Sequence, residues 1–161
     1  MVELEKWDVN KIQKAANVAT MKLHGTYLRF IEQKLGKDAV VECVSMMAKQ
    51  EADIFKKTHS KESGALKIAV NQGETQKNLF GCDDVKVEGD ENQAIVSIGK
   101  CPAIRIVEEF AKMGIPTTKE TCCGGCRSYY ANLSKAMGIN NSDFVCTNEG
   151  CKYIYSKELS K

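Results

Sequence analysis

Cysteine is the residue type through which this chain is most able to do chemistry: it has eight, and six fall in its last third. Those six are Cys101, Cys122, Cys123, Cys126, Cys146 and Cys151. Cysteine thiolates bind zinc, hold iron–sulfur clusters and act as nucleophiles. Disulfides are rare in the reducing cytosol, and the polar segment from Met1 to Lys6 is unlike a secretory signal. We therefore expect a cytoplasmic protein with a metal, redox or catalytic-thiol site.

A metal site is the interpretation that the cysteine spacing favours. Cys123-x-x-Cys126 and Cys146-x-x-x-x-Cys151 are two close pairs, although the second is wider than the usual zinc spacing. The two glycines inside the first pair permit the tight turn of a metal knuckle. We expect zinc, with an iron–sulfur cluster as the alternative. The order of preference among the ligands is Cys101, Cys146, Cys151 and Cys126, then Cys122 and Cys123.

Thiol chemistry is the rival interpretation. A cysteine at a helix N-terminus becomes a better nucleophile because the helix dipole stabilises its thiolate, and Cys122 and Cys123 are expected at such a position. Cys123-x-x-Cys126 also has the spacing of a redox pair, but a thioredoxin-like motif needs a βαβ context, and here a helix precedes it. Two alternatives therefore stay open: a hydrolase or reductase that uses metal-bound water or a helix-terminal cysteine, and an iron–sulfur or dithiol redox protein.

Two of the three arginines adjoin these cysteines. Arg105 lies one helical turn after Cys101, and Arg127 follows Cys126. Guanidinium groups there would offset thiolate charge or hold the carboxylate or phosphate of a small acidic ligand. Exposed helix arginines explain the same placement, so both interpretations stay open. Cys43 is expected to be a core residue, and Cys82 stands apart from the other cysteines in the sequence.

Composition excludes several other classes. The chain has 161 residues, 43% of them hydrophobic, and a net charge of +2. Neither half carries a charge excess typical of nucleic-acid or membrane-surface binding, and no apolar run has the roughly 18–20 residues of a membrane span. We expect a single domain, 1–161, with a helical N-terminal part at 1–60 and a cysteine-containing α+β part at 84–161.

Periodicity predicts an α+β fold in which N-terminal helices pack on a mostly antiparallel sheet, with two further helices. The first helix is capped by Asp8 or Asn10, ends at Gly36, and carries an apolar stripe comprising Ile12, Ala16, Ala19, Leu23, Tyr27 and Phe30. A second helix begins near Asp38, while residues 60–80 fit a strand or a short helix. A hairpin spans 85–98, one helix follows Cys101, a second is capped by Thr121, and a last hairpin surrounds residues 147–150.

From about Gln93 onward the chain resembles the 4-vinyl reductase domain family and, more loosely, the thiazoline carboxylic acid hydrolase-like proteins. The similar features are a strand running into Cys101-Pro102, a helix closed by Gly114-Ile115-Pro116, Cys122, and the ending from Cys146 through Gly150-Cys151-Lys152-Tyr153. The resemblance implies a small module that holds a small hydrophobic molecule, binds metal through these cysteines and is often a dimer. The chain departs from the family in its extra cysteines at 122–126 and in Asp143, where a glutamate is more usual. The leading hypothesis is a small-molecule-binding or sensor-like module with a cysteine-ligated metal.

Overall fold

The computed structural model describes residues 6–58, 64–112, 114, 118–139 and 141–157, without the side chains at 105, 106, 108, 109, 121, 122 and 141. The helices are α1 (Val9–Leu35), α2 (Lys37–Thr58), α3 (Ala65–Glu74), α4 (Pro102–Lys112) and α5 (Lys119–Ala136). A π-helical turn, Thr75–Leu79, continues α3. The strands are β1 (Asp83–Gly89), β2 (Gln93–Lys100), β3 (Asn141–Cys146) and β4 (Cys151–Ser156).

The four strands form one antiparallel sheet in the order β1-β2-β4-β3. Both predicted hairpins are present, and the two central strands, β2 and β4, pair with each other. Alternate residues of these central strands face the core: Val96 of β2 and Tyr155 of β4 are fully buried. The predicted α+β class is therefore confirmed.

Helix boundaries follow local signals at some ends and not at others. Asp8 caps α1 by accepting a hydrogen bond from the backbone N–H of Lys11 at 2.8 Å, and Gly36 ends the helix at φ 88°, as predicted. In contrast, α5 begins at Lys119 rather than after Thr121. Within residues 60–80, which periodicity left undecided, α3 is helical because a distant part of the chain stabilises its first turn. The N–H of Ala65 donates to the carbonyl of Glu91 in the β1–β2 turn.

The helices form layers over the sheet. Helix α3 packs on β1, β2 and β4, and α5 packs on β3. Helix α2 packs mainly on α5, and α1 on α2, so the expectation that the N-terminal helices lie directly on the sheet is wrong. The reason is that α3 and α5 supply the apolar faces that cover the core-facing strand residues, which leaves α2 to cover α5.

Helix α1 is the least buried element of the described structure. None of its 27 residues is buried, and its apolar stripe points outward, with Leu23 54% and Phe30 58% exposed. Apart from α2, its ties to the rest include the side chains of Gln13 and Asn17, which donate to the carbonyls of Asn78 and Phe80. Among the described helices, none is long and apolar enough to cross a membrane.

Candidate thiol centre

Each of the four strands has one cysteine at the same end of the sheet. Cys82 directly precedes β1 and Cys101 directly follows β2, so these two flank the last pair of that ladder. Cys146 ends β3 and Cys151 begins β4, and they are direct cross-strand partners in the hairpin predicted around residues 147–150. Because the sheet is antiparallel throughout, all four cysteines lie at the same end of the sheet, although they are spread over 70 positions of the chain.

The loop at 147–150 fixes how the two hairpins contact each other at this end of the sheet. The backbone N–H of Cys101 donates to the carbonyl of Glu149 at 2.8 Å, which joins the end of β2 to the β3–β4 loop. Gly150 lies so close to β2 that a Cβ atom there would collide with the carbonyl oxygen of Ile98. A glycine at this position is therefore what allows Cys151 to approach Cys101.

Helix α5 brings two further cysteines to the same end of the sheet. Cys123 and Cys126 are three positions apart, so they lie on one face of the helix. Gly124 and Gly125 between them are ordinary helical residues, with open space where a Cβ would stand. The interpretation of Cys123–Cys126 as a metal knuckle is therefore wrong, because the backbone there continues as an α-helix instead of turning.

Four of these cysteines form what we call the inner thiols: Cys82, Cys101, Cys126 and Cys151. A hydrogen bond with Cys101 is the main cause that raises the pKa of the Cys82 thiol, followed by burial and by charge on Cys101, Cys151 and Cys126. Burial and, after it, charge on Cys101, Cys126 and Cys146 raise the pKa of Cys151 to about 12. The inner thiols therefore lie near enough to one another for each added thiolate to repel the others.

The other two cysteines at this end of the sheet, Cys123 and Cys146, form an outer pair. The Sγ atoms of Cys123 and Cys146 are 2.7 Å apart, Cys146 is exposed and Cys123 is half-buried. Burial is the main cause that raises the pKa of Cys123, and its hydrogen bond with Cys146 raises it further. The expectation that the helix dipole makes Cys123 a strong nucleophile is therefore wrong, since it lies beyond the first turn of α5. The side chain of Cys122 lies outside the described part of the structure.

Three of the inner thiols, Cys101, Cys126 and Cys151, border a small cavity together with Cys123 of the outer pair; its volume is about 20 Å³, space for about one water-sized sphere. Its walls combine thiols with apolar and aromatic side chains. The lining residues are Gln76, Ile98, Cys101, Ala103, Ile104, Cys123, Cys126, Phe144, Cys151 and Tyr153.

A buried hydrogen-bonded chain supports the inner thiols from the side of the π-helical turn. The thiol of Cys82 donates to Oε1 of Gln76 at 3.2 Å, and Nε2 of Gln76 donates to the hydroxyl of Tyr130 at 3.1 Å. Neither Cys82 nor Gln76 was among the sequence-predicted site residues. Extending the predicted hairpin outward from Val85 would have placed Cys82 opposite Cys101, whereas no signal in the sequence marks Gln76.

Arg127 lines a second cavity, of about 30 Å³, on the other side of the same aromatic wall. The two cavities share Phe144 and Tyr153, and the second also contains Ser142 and Asp143. Of the two arginines expected to bind a ligand, only Arg127 can be placed in this way, because the side chain of Arg105 lies outside the described residues.

The donor chemistry of the inner thiols fits a thiophilic metal ion, but the thiols do not form a ready-made cage. Among the described side chains, no group of three or more His, Cys, Asp or Glu residues has metal-binding geometry. Sulfur ligands 2.3 Å from zinc in a tetrahedron stand about 3.8 Å apart, whereas the outer pair is at 2.7 Å. No disulfide joins any of the seven cysteines whose side chains are described. Metal binding would therefore require side-chain rotation.

In comparisons with known proteins, no family model matches the chain and no curated protein matches it significantly. The resemblance to the 4-vinyl reductase domain family therefore rests on the quoted residues alone.

Proposed function

We propose that this protein is a metal-binding, sensor-like module that holds one zinc ion with the inner thiols, Cys82, Cys101, Cys126 and Cys151. The observation that carries the proposal is that these four thiols, from four separate chain segments, converge at one end of the sheet. Four thiolates are the ligand set of a closed structural zinc site. Cys82 replaces Cys146 in the set that sequence spacing favours.

The size of the inner cavity favours a single ion over an iron–sulfur cluster. Its volume of about 20 Å³ accommodates one small sphere, whereas a cluster would need room for several iron and sulfide atoms. Sheet register places Cys82, Cys101 and Cys151 at one end of the sheet, so the proposal requires that side-chain rotation, including that of Cys82 toward the cavity, bring the thiolates onto one ion. A four-thiolate ion has no open position for water, so a structural or sensing role suits it better than hydrolysis.

Zinc stoichiometry and affinity, measured by competition with a chromogenic chelator under anaerobic conditions, test the proposal. We expect one zinc per chain in the wild type, loss of tight binding in Cys82→Ser, and retention in Cys146→Ser. Cys43→Ser, in α2 and outside the thiol centre, is the matched control. Stoichiometric iron with visible charge-transfer bands, or unchanged zinc affinity in Cys82→Ser, would overturn the assignment.

Binding of a small acidic molecule beside the metal is the second candidate function, and Arg127 is the observation that favours it. Arg127 lines a cavity that shares Phe144 and Tyr153 with the cavity beside the inner thiols, so a carboxylate held there would lie near the metal. A hydrolase or reductase would need such a neighbour for its substrate. Titration of zinc-loaded protein with small mono- and dicarboxylates should show binding that Arg127→Ala abolishes; equal binding by both proteins would reject this role.

We further propose that the protein is a homodimer joined through the outward stripe of α1. Ile12, Leu23, Tyr27 and Phe30 are all more than half exposed and recur at helical spacing along about 27 Å of the helix. At roughly 100 Å² each, these side chains alone would contribute about 800 Å² in two copies, about half of a standard interface. A second copy matches because a two-fold axis pairs each stripe with itself.

Charge on α1 provides a specific test of the dimer. The helix carries five basic residues and one acidic residue, so two copies repel, and added salt should strengthen the dimer. Sedimentation velocity should show a dimer that Leu23→Glu dissociates and that Met46→Glu, on an exposed site of α2, leaves intact. A wild-type monomer at every concentration and salt level would contradict the proposal.

A further inference from the structure

We infer that Cys123 and Cys146 are a reversible redox pair, separate from the inner thiols, that closes into a disulfide when a small-molecule disulfide is present. Their Sγ atoms are 2.7 Å apart, so a covalent bond of about 2.05 Å needs only a short further approach. Sequence spacing would have paired Cys123 with Cys126, but the residues that meet come from α5 and the end of β3.

Exposure assigns the two roles in the exchange. Cys146 is exposed, so its thiolate reaches the incoming disulfide first, whereas Cys123 is half-buried behind it and acts second. Cys151 is the direct cross-strand partner of Cys146, but it is buried among the inner thiols. Cys123 is therefore the thiol that resolves the mixed disulfide.

The chemistry balances with oxidised glutathione as the oxidant. The Cys146 thiolate attacks one glutathione sulfur, which breaks the S–S bond and releases one glutathione thiolate that takes up a proton. Cys123 then loses its proton, and its sulfur attacks Sγ of Cys146, which releases the second glutathione. The two cysteines lose two electrons and two protons in total, and the glutathione disulfide is reduced to two thiols.

The disulfide links α5 to β3 at the wall of the inner cavity, since Cys123 is part of that wall. It consumes no inner thiol. If the metal is held as proposed above, the oxidised protein therefore keeps its zinc, and one residue of the cavity wall, Cys123, is held in a covalent bridge. This last step rests on the proposed function, whereas the disulfide itself depends only on the contact between the outer pair.

Peptide mapping tests the pair on the whole, metal-free chain. Reduced protein is incubated with oxidised glutathione, quenched with an alkylating reagent and digested without reduction. We expect one dominant Cys123–Cys146 cross-link and two fewer alkylated thiols than before. Cys123→Ser should trap one glutathione on Cys146, and Cys43→Ser should behave as wild type.

A dominant Cys123–Cys126 or Cys146–Cys151 cross-link would overturn the inference, as would stable glutathionylation of wild-type Cys146. A second arm measures zinc in reduced and oxidised protein. Zinc bound by the reduced protein and lost on oxidation would place the outer pair among the ligands and reject the separation of roles. Failure of zinc to bind reduced protein would count against the proposed function and not against the redox pair.

Discussion

The hydroxyl of Tyr155 donates a hydrogen bond of 2.6 Å to Oε1 of Gln72, and both side chains are almost completely buried. This contact joins the central strand β4 to α3 across the core. The Nε2 atom of Gln72 has no hydrogen-bond partner among the described residues, so the Tyr155 hydroxyl supplies the observed polar contact of that buried amide. A buried amide that loses such a contact costs free energy because it cannot return to water.

Tyr155→Phe should lower the free energy of unfolding by about 1–3 kcal/mol, since it leaves the amide of Gln72 buried without its donor. The double variant Tyr155→Phe with Gln72→Leu should recover much of this loss because both polar groups are then removed. Urea unfolding followed by circular dichroism measures the difference. Losses that simply add in the double variant would show that the two side chains do not interact.

Gln76→Leu should weaken zinc binding by about 10- to 100-fold, because the deprotonated Cys82 then lacks the neighbouring amide, whose N–H can turn to donate to the zinc-bound thiolate. The loss should appear in zinc affinity with the reduced, folded protein. Gln72→Leu is the matched control, since it removes a buried glutamine one turn earlier that does not contact Cys82. An equal effect of both substitutions on zinc affinity would point to a general loss of packing.

Gly125→Ala should stabilise the protein by about 0.5–1 kcal/mol, because Gly125 is a helical residue with open space at its Cβ position. Zinc affinity should not change. Gly150→Ala should have the opposite effect, since the added Cβ meets the backbone of Ile98 and separates the two hairpins. Thermal unfolding compares the two. Destabilisation by Gly125→Ala would contradict the open helical environment of Gly125.

Alkaline pH should unfold the protein through its buried tyrosines. Burial raises the pKa of Tyr129 to about 12, and burial also raises the pKa of Tyr130 and Tyr155. In the unfolded chain a tyrosine ionises near pH 10, so the folded state favours the neutral phenol. The stabilisation of the folded state by these neutral tyrosines is therefore complete below about pH 10, and it is lost as the pH rises through the folded-state pKa values.

Urea unfolding at several values between about pH 8 and 11.5, with absorbance at 295 nm, checks this pH dependence. The free energy of unfolding should fall progressively above about pH 10, and tyrosinate absorbance should rise together with unfolding. Tyr129→Phe should make the fall less steep. A free energy of unfolding that stays constant up to about pH 11.5 would contradict the expectation.

Local signals in the sequence predicted the elements better than their packing. The Asp8 cap, Gly36 and the alternation in the two hairpins depend on neighbouring residues, so the corresponding boundaries could be found. Helix α3 could not, because its first turn is held by the distant carbonyl of Glu91. The outward stripe of α1 has the same spacing as a buried stripe, and spacing alone does not identify the neighbour.

For the candidate site as well, the sequence predicted the region but not which side chains contact each other. Six clustered cysteines marked the region, but which thiols approach each other depends on the strand order β1-β2-β4-β3. That order places Cys82 beside Cys101, although Cys82 lies far from the cluster in sequence. It also brings Cys146 to Cys123 through the contact of α5 with β3, a pairing that no local spacing indicates.

The π-helical turn at Thr75–Leu79 makes the length of this segment matter as much as its composition. The backbone N–H of Phe80 donates to the carbonyl of Thr75, five residues earlier, so the turn holds one residue more than an α-helical turn. Deleting one residue here would allow an ordinary α-helix to form, and everything after it would rotate by about 100°. Cys82 would then no longer lie at this end of the sheet, although no cysteine had been substituted. Single-residue insertions and deletions between α3 and β1 should therefore be tolerated far less well than substitutions at exposed positions of the same segment.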